Sequence, residues 1–202
     1  VNIFILDHDL KKSIEYHVDK HVVKMPLEAA QMMSTALWVD KLLGFVPRAL
    51  TKEETGILNK AKKEIAPLPL PERPLSPYLP TMYNHPCTIW VRSSYENYAY
   101  TFNYAAELCD EYTYRYGKIR ELEHIVKNFN IPNNMPNLGL TQFALALSQH
   151  FPPELRNPND PVQTYRYFYM LDKATFAQWK FRNKPEWWDE SFASYDRRIS
   201  GR

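Results

Sequence analysis

Five polar residues, His17, His21, Lys24, Glu28 and Gln31, follow one another at intervals of four, three, four and three. That spacing puts side chains on one face of a helix. A face kept polar only for solvation usually carries lysine and glutamate. Two imidazoles, an ammonium and a carboxylate in one line form a set able to move protons, hold phosphates or bind a metal ion.

The metal reading rests on His17 and His21 at i and i+4, with Glu28 or His85 to complete the shell. The string HVDKH lacks the glutamate that follows the first histidine in helical zinc-protease motifs, and Asp19 falls on another face. Lys20 and Lys24 also repel a dication. Nucleophilic catalysis by cysteine has less support: His85 and Cys87 stand two residues apart at a helix start, where side chains diverge. Neither GxxxxGK[ST] nor GxGxxG occurs, so the usual cradles for nucleotide phosphates are missing. No cofactor is implied.

A second pattern is a mixture of aromatic and basic side chains. Tyr95 to Tyr116 carries seven tyrosines, and TYRYFYM places Tyr165 and Arg166 among further rings. Interleaved with Arg115, Lys118, Arg120, Lys173 and Lys180, this is the mixture that stacks bases and contacts phosphates, although most such rings serve packing.

These residues need rigid elements to position them. Leu10, Ile14, Val18 and Val22 recur every four residues from Asp9 onward, which predicts an amphipathic helix with a kink or restart at Pro26 and a continuation to Leu42. Thr51 with Glu54 reads as a capping box opening a surface helix. The proline-crowded stretch 66–86 is a stiff, extended loop, long enough to cover a substrate site beside His85. From Cys87 to Gly117 no proline or glycine interrupts a helical apolar pattern, which predicts a long central helix carrying both cysteines. Shorter helices are expected at IRELEHIVKNF and LTQFALALS. Another should open at Asp160 as N-cap with Pro161 at the first position. In the tail, about 185–202, Trp187 and Trp188 should dock while the last residues fray.

The whole chain bounds the class. Its 202 residues suffice for a full core and suggest one domain, 1–202. Few glycines and bunched prolines favour long helices and stiff loops over many strands, hence an all-α, compact helical bundle. Lys and Arg outnumber Asp and Glu by two, so no overall field demands a polyanion, though a local basic face still suits phosphates. Two cysteines read as reduced core residues of an intracellular protein. The start VNIFILDHDLKK lacks signal-peptide order, and no apolar run is long enough to span a membrane. A cytoplasmic setting follows.

The succession of an apolar N-terminus, EYHVDKHVVKMPLEAAQ, NHPCTIWVR, ELCDEYTYRYG and TYRYFYMLDKATFAQW resembles the phage pyrimidine-dimer DNA glycosylases and their bacterial relatives. It covers the chain from Val1 to about Lys180, apart from insertions near 44–80 and 119–160. The resemblance implies a helical fold acting as a monomer in a host cytoplasm. Its partner would be double-stranded DNA, from which it displaces a base, cleaves the glycosylic bond and nicks the strand. It further implies that the α-amine of Val1 forms an imine with the sugar. An α-amine ordinarily titrates near 8 and a lysine near 10.4, so the terminal amine is the readier nucleophile at neutral pH.

Lys24 stands where that family's catalytic glutamate is placed. Glu28, one turn on, is chosen as the acid-base partner ahead of Glu15. Lys24 becomes a phosphate ligand or a replacement imine-forming amine. His17, Lys20, His21, Gln31, His85, Arg92, Tyr165 and Arg166 are assigned to the lesion pocket or the strand clamp. The alternatives are an enzyme acting on a modified pyrimidine, a noncatalytic DNA-binding module and a metal-dependent hydrolase.

Overall fold

The computed structural model describes residues 1–194 and is all-α, with no strand among them. Seven α-helices run in chain order: α1 (Leu10–Glu15), α2 (Asp19–Leu43), α3 (Lys52–Ile65), α4 (Pro86–Val91), α5 (Tyr95–Tyr116), α6 (Glu121–Lys127) and α7 (Pro161–Phe168). A π-helical turn, Tyr169–Lys173, continues α7. The main packing is α2 along α5, with α1, α4 and α6 against that pair.

The N-terminal segment threads this core. Ile3, Phe4, Ile5 and Leu6 are all buried among Val22, Met25, Tyr104, Leu108 and Tyr165. At about 25 cal/mol per Å², four such side chains make this short irregular segment a major source of apolar burial. A smaller cluster joins the outer half of α2, through Trp38 and Val39, to Leu58 and Ile65 of α3.

Some elements form where local signals predict them. Thr51 accepts from the Glu54 N–H while Glu54 accepts from the Thr51 N–H, completing the capping box of α3. Asp160 caps α7, with Pro161 at the first position. The proline-crowded stretch contains one short 3-10 turn, Leu70–Glu72. It is tied to α2 where Ser34 and Thr35 donate to the carbonyls of Tyr78 and Thr81.

Elsewhere the structure corrects the sequence-based expectation. The break in the first helical run falls at Tyr16–Val18, and α2 passes through Pro26 without ending. The cause of the break is Arg115 of α5, which is 1% exposed. It donates to the carbonyls of Glu15 and His17 and pairs with Asp19 and Glu111, so the orphan carbonyls ending α1 find a buried cation in place of further helix. Pro26 is tolerated because Val22, Met25, Ala29 and Ala30 around it are fully buried, and tertiary packing outweighs one missing N–H.

The predicted central helix divides at Arg92–Ser94 into α4 and α5, so Cys87 and Cys109 lie on different helices; both are free and buried. No helix forms at 140–148. There the backbone bonds to side chains instead: Thr141 N–H to Asn97, Ala146 N–H to the Tyr165 hydroxyl, and the Ala146 carbonyl to Asn2. Trp187 packs edge-on to Tyr16 and Trp188 edge-on to Trp179. The expected fraying of the final residues lies outside the described residues.

Candidate active site

The N-terminus meets α2 at one carboxylate. The Val1 amine is 3.7 Å from Glu28 Oε2, and Lys24 Nζ is 2.9 Å from Glu28 Oε1. Glu28 is 14% exposed at its side chain and Lys24 60%. Val1 is half-buried as a residue while its side chain is only 6% exposed, so what solvent reaches is mainly its main-chain end. The valine side chain acts as an anchor for the amine beside Glu28.

Asn2 holds this end in place. Its Nδ2 donates to the Ala146 carbonyl at 2.7 Å, and its Oδ1 accepts from the Ile3 N–H at 2.8 Å and faces the Tyr165 hydroxyl at 2.9 Å. The Cys87 thiol donates to the same oxygen. Burial pushes that thiol up to about 11, so it stays protonated and serves as a donor. A polar side chain inside the apolar run VNIFIL was the available signal for Asn2, and sequence reasoning passed over it.

The two histidines expected on one helix face hold the next residues, although only His21 lies on α2 and His17 falls in the break between α1 and α2. His17 is fully buried, with Nδ1 2.8 Å from the Ser13 carbonyl and Nε2 2.8 Å from the Tyr104 hydroxyl. A carbonyl only accepts, so Nδ1 carries the proton and Nε2 accepts from Tyr104. Tyr104 in turn accepts from the Phe4 N–H at 3.4 Å, and the Ser13 hydroxyl accepts from the Leu6 N–H at 2.9 Å. His21 stacks on the Phe4 ring at 4.7 Å and meets the Tyr169 hydroxyl at 2.6 Å. Burial lowers His17 to about 3; burial, then His17, Lys173 and Lys24, lowers His21 to about 2. Both rings are neutral near pH 7. Their bonds and ring contacts secure Phe4 and Leu6, and they occupy both ring nitrogens of His17 and Nδ1 of His21.

The remaining predicted residues divide between the site and the scaffold. Tyr165 is fully buried and braces Asn2 together with Ala144 and Ala146. Arg92 is 1% exposed and donates to the carbonyls of Val46, Arg48 and Tyr83, so it ties loops together and is sealed from any strand outside. Arg166 donates to the Leu6 carbonyl and pairs with Asp7. Gln31 is half-buried one turn beyond Glu28, and Lys20 is exposed over the Phe176 ring. His85 alone among the predicted histidines belongs with the amine. It caps α4, accepts the Cys87 N–H at Nδ1, and is half-buried. Burial and then the Val1 amine lower its pKa, while Glu28 opposes them.

A metal finds no cage here: among the described residues no three His, Cys, Asp or Glu side chains are placed to share an ion. What the arrangement offers is an amine beside a carboxylate that also pairs with the exposed Lys24. The family model for pyrimidine dimer DNA glycosylase matches residues 1–124, more than half of the 202. The chain belongs to that family. The matched span contains Val1, Asn2, Lys24, Glu28 and His85, and the family's activity makes this a DNA repair glycosylase whose substrate is DNA. No curated protein and no solved structure matches the chain. Among the described residues no helix is long and apolar enough to cross a membrane.

Proposed function

We propose that this glycosylase excises dimerised pyrimidines through attack by the Val1 amine, with Glu28 as its acid-base partner, and then nicks the strand. The observation that supports the reading is the 3.7 Å separation between the amine and the carboxylate. A general base must lie within about one hydrogen bond, or one water, of the proton it moves, and positions often tighten when substrate binds.

In the proposed step the neutral amine attacks C1′ of the damaged nucleotide. A C1′–N bond forms, the glycosylic bond breaks, and its electron pair leaves with the pyrimidine, which takes up a proton. Glu28 accepts the proton released by the amine. Opening of the sugar ring gives an imine between Val1 and C1′. Loss of a C2′ proton then expels the 3′ phosphate, and water releases the enzyme. Lys24 holds Glu28 in place and faces the strand, and His85 borders the pocket that receives the displaced nucleotide.

The reading requires Val1 to be the first residue of the mature chain, which the intact mass of protein isolated from its own cell tests. The direct experiment is borohydride trapping on UV-irradiated duplex DNA, with unirradiated duplex as control and peptide mapping of any adduct. A lesion-dependent adduct on the Val1 amine is expected. An adduct on Lys24 would overturn the choice of nucleophile, and no adduct with either DNA would overturn the imine route.

A further inference from the structure

Beyond the family match the chain sends one cation back to the Val1–Glu28 site. Lys173 ends the π-helical turn Tyr169–Lys173, a local widening of the helix that recurs at functional positions. The turn is fixed from inside. Tyr169 is fully buried with its hydroxyl on His21, and the Phe168 ring stacks near the Phe4 ring at 6.0 Å. Lys173 Nζ lies 4.5 Å above the other partner in that stack, Phe168. The lysine is therefore mounted on the same aromatic layer that holds the N-terminal segment.

Its charge environment is unbalanced. Lys173 is half-buried and feels Lys24 as a like charge and Glu28 and Asp172 as opposite ones. Glu28 makes its close ion pair with Lys24. Three ammonium groups, those of Val1, Lys24 and Lys173, thus face two carboxylates, Asp172 and Glu28. Crowded cations on a DNA-processing surface are what a row of phosphates neutralises. Burial, with help from Lys24, draws the Lys173 pKa below the ordinary lysine range, and an arriving phosphate would oppose that shift.

We propose that Lys173 is a second cationic arm of this site, gripping with Lys24 the DNA backbone phosphates that flank the displaced nucleotide. The segment after residue 124 then does more than brace the N-terminus: it supplies a strand contact that the matched region lacks. This inference rests on the glycosylase reading for the position of the strand, and its test is separate from the chemistry of excision.

The experiment measures binding of undamaged duplex DNA by the full chain across a range of salt concentrations. Wild type is compared with Lys173→Ala, Lys173→Arg, Lys24→Ala and the double alanine variant, with Lys63→Ala on α3 as a control. Each phosphate contact contributes about 0.9 to the slope of log affinity against log salt. Lys173→Ala should lower the slope by about that amount, the double variant by about twice it, and Lys173→Arg and Lys63→Ala hardly at all. Affinity should fall equally for damaged and undamaged DNA, with the melting midpoint unchanged.

An unchanged slope for Lys173→Ala, with irradiated DNA still processed, would overturn the proposal and leave the glycosylase reading intact. A reduced slope in a protein that forms no adduct would do the reverse. A slower single-turnover rate at saturating DNA with the slope unchanged would also overturn it, because Lys173 would then be acting on Glu28 and not on phosphate.

Discussion

Glu28 receives the Val1 amine at 3.7 Å on one oxygen and the Lys24 ammonium at 2.9 Å on the other. One carboxylate therefore joins the start of the chain to the exposed edge of α2. Removing its charge while keeping its shape separates chemistry from binding.

Glu28→Gln should lower the single-turnover excision rate by about 10²-fold or more, the usual scale for a positioned acid-base group. DNA affinity should stay within about twofold. Rate and affinity measured on the same irradiated duplex check this, and equal losses in both would assign Glu28 to binding.

Tyr165→Phe deletes the hydroxyl that braces Asn2 and receives the Ala146 N–H. Leaving those buried groups short of a partner should cost about 1–3 kcal/mol, which in a chain of this size lowers the melting midpoint by roughly 2–12 °C. The excision rate should fall beyond what unfolding explains, because the amine loses its fixed position. A stable variant with full activity would contradict the role given to Asn2.

Acid should destabilise the protein through His17 and His21. Their folded pKa values, about 3 and about 2, lie below the ordinary value of 6.5. The unfolded chain therefore binds protons first as pH falls. Their contribution is complete above about pH 6.5 and is lost progressively below it, down to the folded values. Between pH 7.5 and 5.5 the two together should remove about 2–3 kcal/mol. Denaturant unfolding at those two pH values is the check, and unchanged stability would mean that the rings already carry protons in the fold.

Arg92→Met removes three donors from the carbonyls of Val46, Arg48 and Tyr83. Stability should drop by about 3 kcal/mol, since buried acceptors are left unpaired. The salt dependence of DNA binding should not change. A lowered salt slope in the folded variant would restore Arg92 to the strand-contacting surface.

Much of this was legible locally. The capping box at Thr51, the Asp160–Pro161 helix start and the shared face of Lys24 and Glu28 depend on neighbours a few residues away, where pattern and physics coincide. The parts that were not legible are set at long range. The interruption at Tyr16–Val18 is imposed by Arg115, about a hundred residues distant. The apolar stretch LTQFALALS has helical composition, yet its backbone is claimed by Asn2, Asn97 and Tyr165. His17, His21 and Arg92 have the types of a binding site, but their burial follows from how Phe4, Tyr104 and the loops fold over them. Lys173 lies far along the chain from the helix face it joins.

The tether on Asn2 also bears on when the enzyme matures. Its partners, Ala146 and Tyr165, stand 144 and 163 residues downstream, so they leave the ribosome long after Val1 does. During synthesis the N-terminal end waits without the Ala146 carbonyl and the Tyr165 hydroxyl that hold Asn2, even when all 124 family-matched residues have emerged. Under the mechanism proposed here, competence to attack DNA arrives late in translation, and a prematurely ended chain would carry the amine and Glu28 without the bonds that hold Asn2.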